Sequence, residues 1–279
     1  MHYNDDGPSF KFDKNDFLAR PDPVGVFQPH RVQAAYLGMA GDGHIGRFNV
    51  SNALYWVTGR DSQNPIAGTS QRINAKFAAG EISYDRDWIR FRASALYASG
   101  DRDPYNRTAT GFDSIFDSPN FAGGQFSFWQ RQQINLQGVG LVNRFSLLPD
   151  LRSSKFQGQS NFVNPGLRLL NVGADFELTP KTRLVTNASY LQFDSVRVLQ
   201  AFTFQNHIRR DIGVDLSVGL EYRPALNDNI ILTGGYACLL PGGGFRDLYG
   251  TTKPFTTANA GSGTIDALNS VFAQCILQF

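Results

Sequence analysis

Asp211-Ile212-Gly213-Val214-Asp215-Leu216-Ser217-Val218-Gly219-Leu220-Glu221-Tyr222 alternates in polarity without a break. Ile212, Val214, Leu216, Val218, Leu220 and Tyr222 fall on one face. Asp211, Gly213, Asp215, Ser217, Gly219 and Glu221 fall on the other. A period of two residues is the signature of a β-strand whose faces meet different surroundings. Its length adds a second constraint. Strands of globular domains average about 5–6 residues, whereas a tilted strand needs about 9–11 to cross a bilayer. The stretch therefore reads as a membrane-spanning strand, apolar side to lipid and acidic or small side to a wet lumen.

The same alternation recurs outward from this segment. Residues 88–99 set Ile89, Phe91, Ala93, Ala95 and Tyr97 against Arg90, Arg92 and Ser94. Residues 166–178 set Leu170, Val172, Ala174, Phe176 and Leu178 against Asn171, Gly173, Asp175 and Glu177. Weaker strands are expected at 30–38, 45–59, 72–84, 182–193 and 229–239. The chain closes on Val271, Ala273, Cys275, Leu277 and Phe279 at every second position, which gives about nine strands. The connections at 40–43, 85–87, 179–181 and 223–228 are short, and those at 60–71, 100–165, 195–210 and 240–264 are longer. Short periplasmic turns alternating with longer external loops mark outer-membrane barrels. The expected fold is all-β, an antiparallel up-and-down transmembrane β-barrel. Bacterial single-chain barrels have even strand numbers, and the proline-bearing first 29 residues make a poor strand. The expectation is thus one outer-membrane domain over 1–279 that is the C-terminal part of a larger barrel. Within it, 100–165 is a long loop, external or folded into the lumen.

Composition narrows the class. Charged residues are 18% of the chain and apolar residues 42%, too apolar for disorder. Lys and Glu, common on exposed helices, are scarce. No run approaches the length of a membrane helix. The net charge of +2 creates no strong field for nucleic acid, and no nucleic-acid partner is expected. Residues 1–6 carry no signal-peptide pattern. Phe279, an aromatic terminal residue on the apolar face of a closing strand, resembles the signal read by the barrel-assembly machinery. That machinery and outer-membrane lipid are the expected partners in a Gram-negative outer membrane.

The segments Ala98-Ser99-Gly100-Asp101-Arg102-Asp103-Pro104, Gly111-Phe112-Asp113-Ser114-Ile115-Phe116-Asp117, Pro119-Asn120-Phe121-Ala122-Gly123-Gly124, Phe126-Ser127-Phe128-Trp129 and Gly158-Gln159-Ser160-Asn161-Phe162-Val163-Asn164-Pro165-Gly166 resemble bacterial alginate-export-type outer-membrane proteins, from about residue 30 onward. The resemblance implies a monomeric barrel passing an anionic polysaccharide outward, although this chain is short for the family's full barrel.

A channel of that kind needs no catalytic group, no metal and no cofactor. The four His residues have no metal-ligand spacing, and neither a phosphate-binding loop nor a serine-nucleophile motif is present. Selectivity would come from lumen charges. Arg90 and Arg92 share an inward parity, with Arg47, Arg72, Lys76 and Arg183 as neighbours on other strands, and Arg forks suit carboxylates. The alternative is that these cations pair with Asp175, Glu177, Asp211, Asp215 and Glu221 in the wall. Asp101 and Asp103 are weak cation ligands by spacing, and Phe128 and Trp129 argue against a disordered loop. Two other classes compete with a transport channel. One is a non-transporting barrel acting as an adhesin or anchor, separated by conductance. The other is a soluble β-sandwich or β-barrel, separated by its independence of detergent.

Overall fold

The computed structural model describes residues 2–5, 11–12, 18–19, 30–64, 66–114, 121–131, 160–203, 205–226, 229–249 and 267–277. Ten strands form one antiparallel meander. They are β1 (His2–Asp5), β2 (Val32–Ile45), β3 (Phe48–Asn64), β4 (Thr69–Arg86), β5 (Ile89–Ala98), β6 (Leu167–Thr179), β7 (Thr182–Gln192), β8 (Asp211–Tyr222), β9 (Ile230–Pro241) and β10 (Leu268–Leu277). Each pairs with its neighbours in sequence, so the order in space is the order in the chain. Strands β2 to β10 are the nine long ones expected. Among the described residues, β1 and β10 are the two edges of the sheet. A two-residue strand, Thr108–Ala109, runs parallel to β4 beside Arg72 and Ile73. No helix among the described residues is long and apolar enough to cross a membrane.

From Asp215 onward the two faces of β8 differ as the alternation requires, whereas Ile212, expected on the outward face, is fully buried where the register with Leu191 and Gln192 shifts. On β8, Leu216, Val218, Leu220 and Tyr222 are exposed, whereas Asp215, Ser217 and Gly219 are buried. The register carries this parity across the sheet. Leu216 lies opposite Ala188 and Cys238, and Ser217 opposite Asn187 and Ala237. Val172 and Leu170, each 62% exposed, continue the outward apolar surface on β6. Aromatic rings cluster at the short-turn end, where Phe48 lies 5.6 Å from Tyr84 and Trp88 lies 5.8 Å from Phe176. This outward band with an aromatic rim is a lipid-facing surface.

Two expected connections are displaced. Residues 40–43 lie inside β2, paired with Asn52, Ser51 and their neighbours. The turn is Gly46–Arg47, where Gly46 takes φ +63, the left-handed backbone that two-residue hairpins favour. Asp42 was misleading because it points inward to accept the Ser51 hydroxyl at 2.8 Å. The 60–71 loop is likewise mostly strand, since β3 reaches Asn64 and β4 starts at Thr69. Both faces are polar there, so alternation gives no signal.

The inner face carries a second layer made from the long connections. Phe112 stacks on Phe77 at 4.8 Å and meets Tyr36 edge-on at 6.4 Å. The Tyr36 hydroxyl donates to the Asp113 carbonyl at 2.7 Å. Asn164 donates to the Phe112 carbonyl at 3.0 Å and accepts from the Gly166 amide at 2.9 Å. Beneath this polar stitching lie Val57, Ile73, Leu167, Leu191 and Ile212, all fully buried. The described parts of the long connection, residues 100–114, 121–131 and 160–165, therefore pack against the wall. Helices α1 (Phe128–Arg131), α2 (Arg197–Thr203) and α3 (Gly243–Tyr249) all belong to these connections.

Candidate pore lining

Inward parity brings a row of charges together across five strands. Glu81 and Asp85 come from β4, Arg90 and Arg92 from β5, Asp175 and Glu177 from β6, Arg183 from β7 and Glu221 from β8. The signs alternate from strand to strand. Arg92 donates to Asp175 at 2.7 Å and to the Asn187 side-chain oxygen at 2.9 Å. Arg183 donates to the other Asp175 oxygen and lies 3.6 Å from Glu177. Arg90 donates to Asp85 at 3.0 Å, and Arg223 pairs with Glu221 at 2.6 Å. Ser94 donates to Glu81 at 2.6 Å. Opposite charges on adjacent strands stabilise cross-strand packing, and a fully desolvated carboxylate such as Asp175 requires partners.

A segment of the long connection faces this row. Residues 121–124 and Phe126 sit across a polar cavity of about 230 Å³ from Arg92, Asp175, Arg183 and Glu221. The segment is held at two points. Phe126 packs over Gly219 and lies 5.8 Å from the Phe272 ring. A Cβ on Gly219 would stand 1.9 Å from the Phe126 ring, so only glycine permits the approach. The second point is Trp129, whose amide donates to Asp215 at 2.8 Å from a fully buried position.

The sequence-derived candidates divide three ways. Arg90, Arg92 and Arg183 are inward; Arg92 and Arg183 meet at Asp175, and Arg90 pairs with Asp85. Arg72 and Lys76 are on the outward face of β4, opposite Arg60 and Trp56. Arg47 is in the β2–β3 turn. Arg72 and Lys76 do not join the inward row because the parity of β4 puts its odd-numbered residues inside, and Arg47 does not because it sits in the turn beyond the strand ends. Asp215 and Asp211 pair with backbone amides, not with the arginines. Asp101 and Asp103 do not converge on an ion site. Each accepts an amide from two residues ahead, Asp103 and Tyr105 respectively. The described residues hold no group of three or more metal-ligating side chains. Cys238 and Cys275 are free thiols, six residues out of register. Phe279 lies outside the described residues. Glu81, Asp85, Asn187 and the 121–126 contact were missed as lining. The inward parity of Glu81, Ser83 and Asp85 was the available signal for the first two.

Asp101 gives a pH prediction for the layer that the long connection forms on the inner face. Burial pushes its carboxyl up to about 6. The folded form thus holds its proton more tightly than the unfolded form. The group's contribution to stability falls as pH rises from the ordinary carboxylate range to about 6 and is constant above that. Amide exchange of residues 100–112 will be slower at pH 5 than at pH 7 after correction for intrinsic rates. Asp101→Asn will abolish that difference, and its persistence in the variant would contradict the assignment.

A lipid-facing antiparallel meander with a charge-paired inner face and an inserted loop is the wall of an outer-membrane β-barrel, and the bacterial outer membrane is where such a surface is at home. No family model and no curated protein matches the sequence. Among solved structures, the chain is similar to a BenF-like porin from Pseudomonas fluorescens Pf-5, at 9% identity and TM-score 0.38, over 89% of this chain and 48% of that one. It is also similar to a mutant of the ferric enterobactin receptor from Pseudomonas aeruginosa, at 12% identity and TM-score 0.31, over 82% of this chain and 27% of that one. It spans less than half the length of either.

Proposed function

We propose that the protein is a porin-like outer-membrane channel whose lumen is narrowed by residues 121–129. The observation that carries this reading is the paired charge row facing that segment across a polar cavity. A wall needed only as an anchor has no use for a hydrogen-bonded charge row lining a polar cavity. The long connections lie outside the cell and the short turns in the periplasm, as in barrels of this kind. Transport is passive and rests on the lining. The two sheet edges must be paired in the membrane, because unsatisfied backbone groups are costly in lipid.

The solute is a finer proposal. Exposed parts of Arg90, Arg183 and Arg223 offer forks to a passing carboxylate, and the neighbouring Asp and Glu residues keep it from being held. A polymer of uronate units is the anionic saccharide this lining suits. In planar bilayers the full chain is expected to give ohmic single channels whose current is reduced by added oligouronates more than by neutral oligosaccharides of equal length. Channels indifferent to both would remove the uronate reading. No channels at all would favour the adhesin or anchor alternative.

A further inference from the structure

Above the apolar band, the outward face carries cations that the fold itself leaves unexplained. Arg60 on β3 and Arg72 on β4 stand directly opposite each other, both exposed. Like charges in directly opposed positions destabilise a sheet. Lys76 lies on the same face four residues further along β4, opposite Trp56. Arg60 donates to the Ser70 hydroxyl at 3.0 Å. Among the described residues, none of the three cations forms an ion pair. Asp61, the nearest acid in sequence, is buried on the opposite face beside His30. Arg168 on β6 is different, because it is already satisfied by Asp194 at 2.6 Å.

A second feature adjoins these cations. Ala78 and Gly80 continue the outward face of β4 past Lys76. Together with Ala95, Tyr97, Leu170 and Tyr190 they form a largely apolar groove of about 550 Å³. Trp56 closes the boundary between the two zones by donating its indole N–H to Asn74 at 2.9 Å. Cations stand above, an amphipathic ring marks the interface and small residues leave a furrow below. That order matches a lipid with phosphate groups on its headgroup and acyl chains beneath them.

We infer that the outward face of β3–β7 binds a phosphorylated lipid of the outer leaflet, with Arg60, Arg72 and Lys76 on the phosphates and an acyl chain in the Ala78–Gly80–Ala95 groove. The inference rests on the external placement of the long connections proposed above. Bound phosphate relieves the Arg60–Arg72 repulsion, which gives the wall a reason to keep it. A soluble anionic polymer fits less well, because it has no use for an apolar furrow directly below the charges.

The test uses the full chain in uncharged detergent micelles, with bound lipid counted by native mass spectrometry. The probes are bisphosphorylated lipid A, the same lipid stripped of phosphate, inorganic phosphate in large excess and a soluble polyuronate. Wild-type protein is expected to hold the bisphosphorylated lipid roughly a hundredfold more tightly than the stripped lipid, as three interfacial cations would give. Inorganic phosphate should not displace it. The Arg60→Gln/Arg72→Gln/Lys76→Gln variant should lose the preference and keep its single-channel conductance. Equal binding of both lipids by wild type overturns the inference without need of any variant. So does displacement by inorganic phosphate, or binding of polyuronate in place of lipid. Loss of conductance in wild type would count against the channel reading alone, since lipid retention is read separately.

Discussion

Truncating Phe126 and Trp129 together to alanine will open the lumen and raise the single-channel conductance. Both side chains are buried, and each large-to-small change at such a site costs about 3–5 kcal/mol. Phe126 is wedged over Gly219 and against Phe272, and Trp129 is fixed through its amide to Asp215. With both buried rings removed, the segment loses its packing and keeps only the backbone amide of residue 129 on Asp215, while the strand ladder, which uses neither residue, remains. The wall should therefore still insert and run as a folded barrel. Gly219→Leu approaches the same contact from the other side. Its side chain would occupy the space that the Phe126 ring holds, so it should expel the segment without touching the loop sequence. If both variants conduct like wild type, residues 121–129 do not limit the pore.

Leu216→Arg will lower stability in phospholipid vesicles by about 2–4 kcal/mol, the cost of a cation on the lipid face near the bilayer midplane. Leu216 is 41% exposed and flanked across the sheet by Ala188 and Cys238. The same substitution on a water-facing surface is worth less than about 0.5 kcal/mol in either direction. The comparison thus separates a membrane wall from a soluble sheet. Ser217 cannot serve as the wet control that its parity suggests, because it is buried beside Asn187, whose amide lies 3.4 Å from its hydroxyl. Urea titration of vesicle-refolded protein reads the difference. A change at Leu216 within the water-facing range would contradict the lipid assignment.

Strand existence was legible wherever the two faces meet different surroundings. Residues 211–222 and their neighbours in β5 and β6 alternate because one side sees lipid and the other sees polar groups. The ends of β3 and β4 were hidden for the opposite reason. Arg60, Ser62, Arg72 and Asn74 project from strands that continue past the apolar band, so polar residues occupy both faces. Arg72 and Lys76 were assigned to the lumen on charge type alone, and strand parity reverses them. The pairing of Arg92 with Asp175 and Asn187 depends on register across β5, β6 and β7, which a single strand does not encode. The descent of Phe126 onto Gly219 is less visible still. The glycine looked like one more small inward residue, and its partner is separated from it by two strands and a long connection.

The most direct test of a lipid-embedded wall around a wet, narrowed lumen is thiol modification at two adjacent positions in a chain whose Cys238 and Cys275 have been replaced by serine. Glu221 borders the polar cavity and Leu220 faces outward, 42% exposed. With Glu221→Cys, a charged membrane-impermeant thiol reagent should react and step the single-channel current. With Leu220→Cys, the same reagent should leave the current unchanged, and a fluorophore attached there in detergent should be quenched by brominated lipid after reconstitution. Current steps from Leu220→Cys with silence at Glu221→Cys, or equal reactivity at both, would contradict the account.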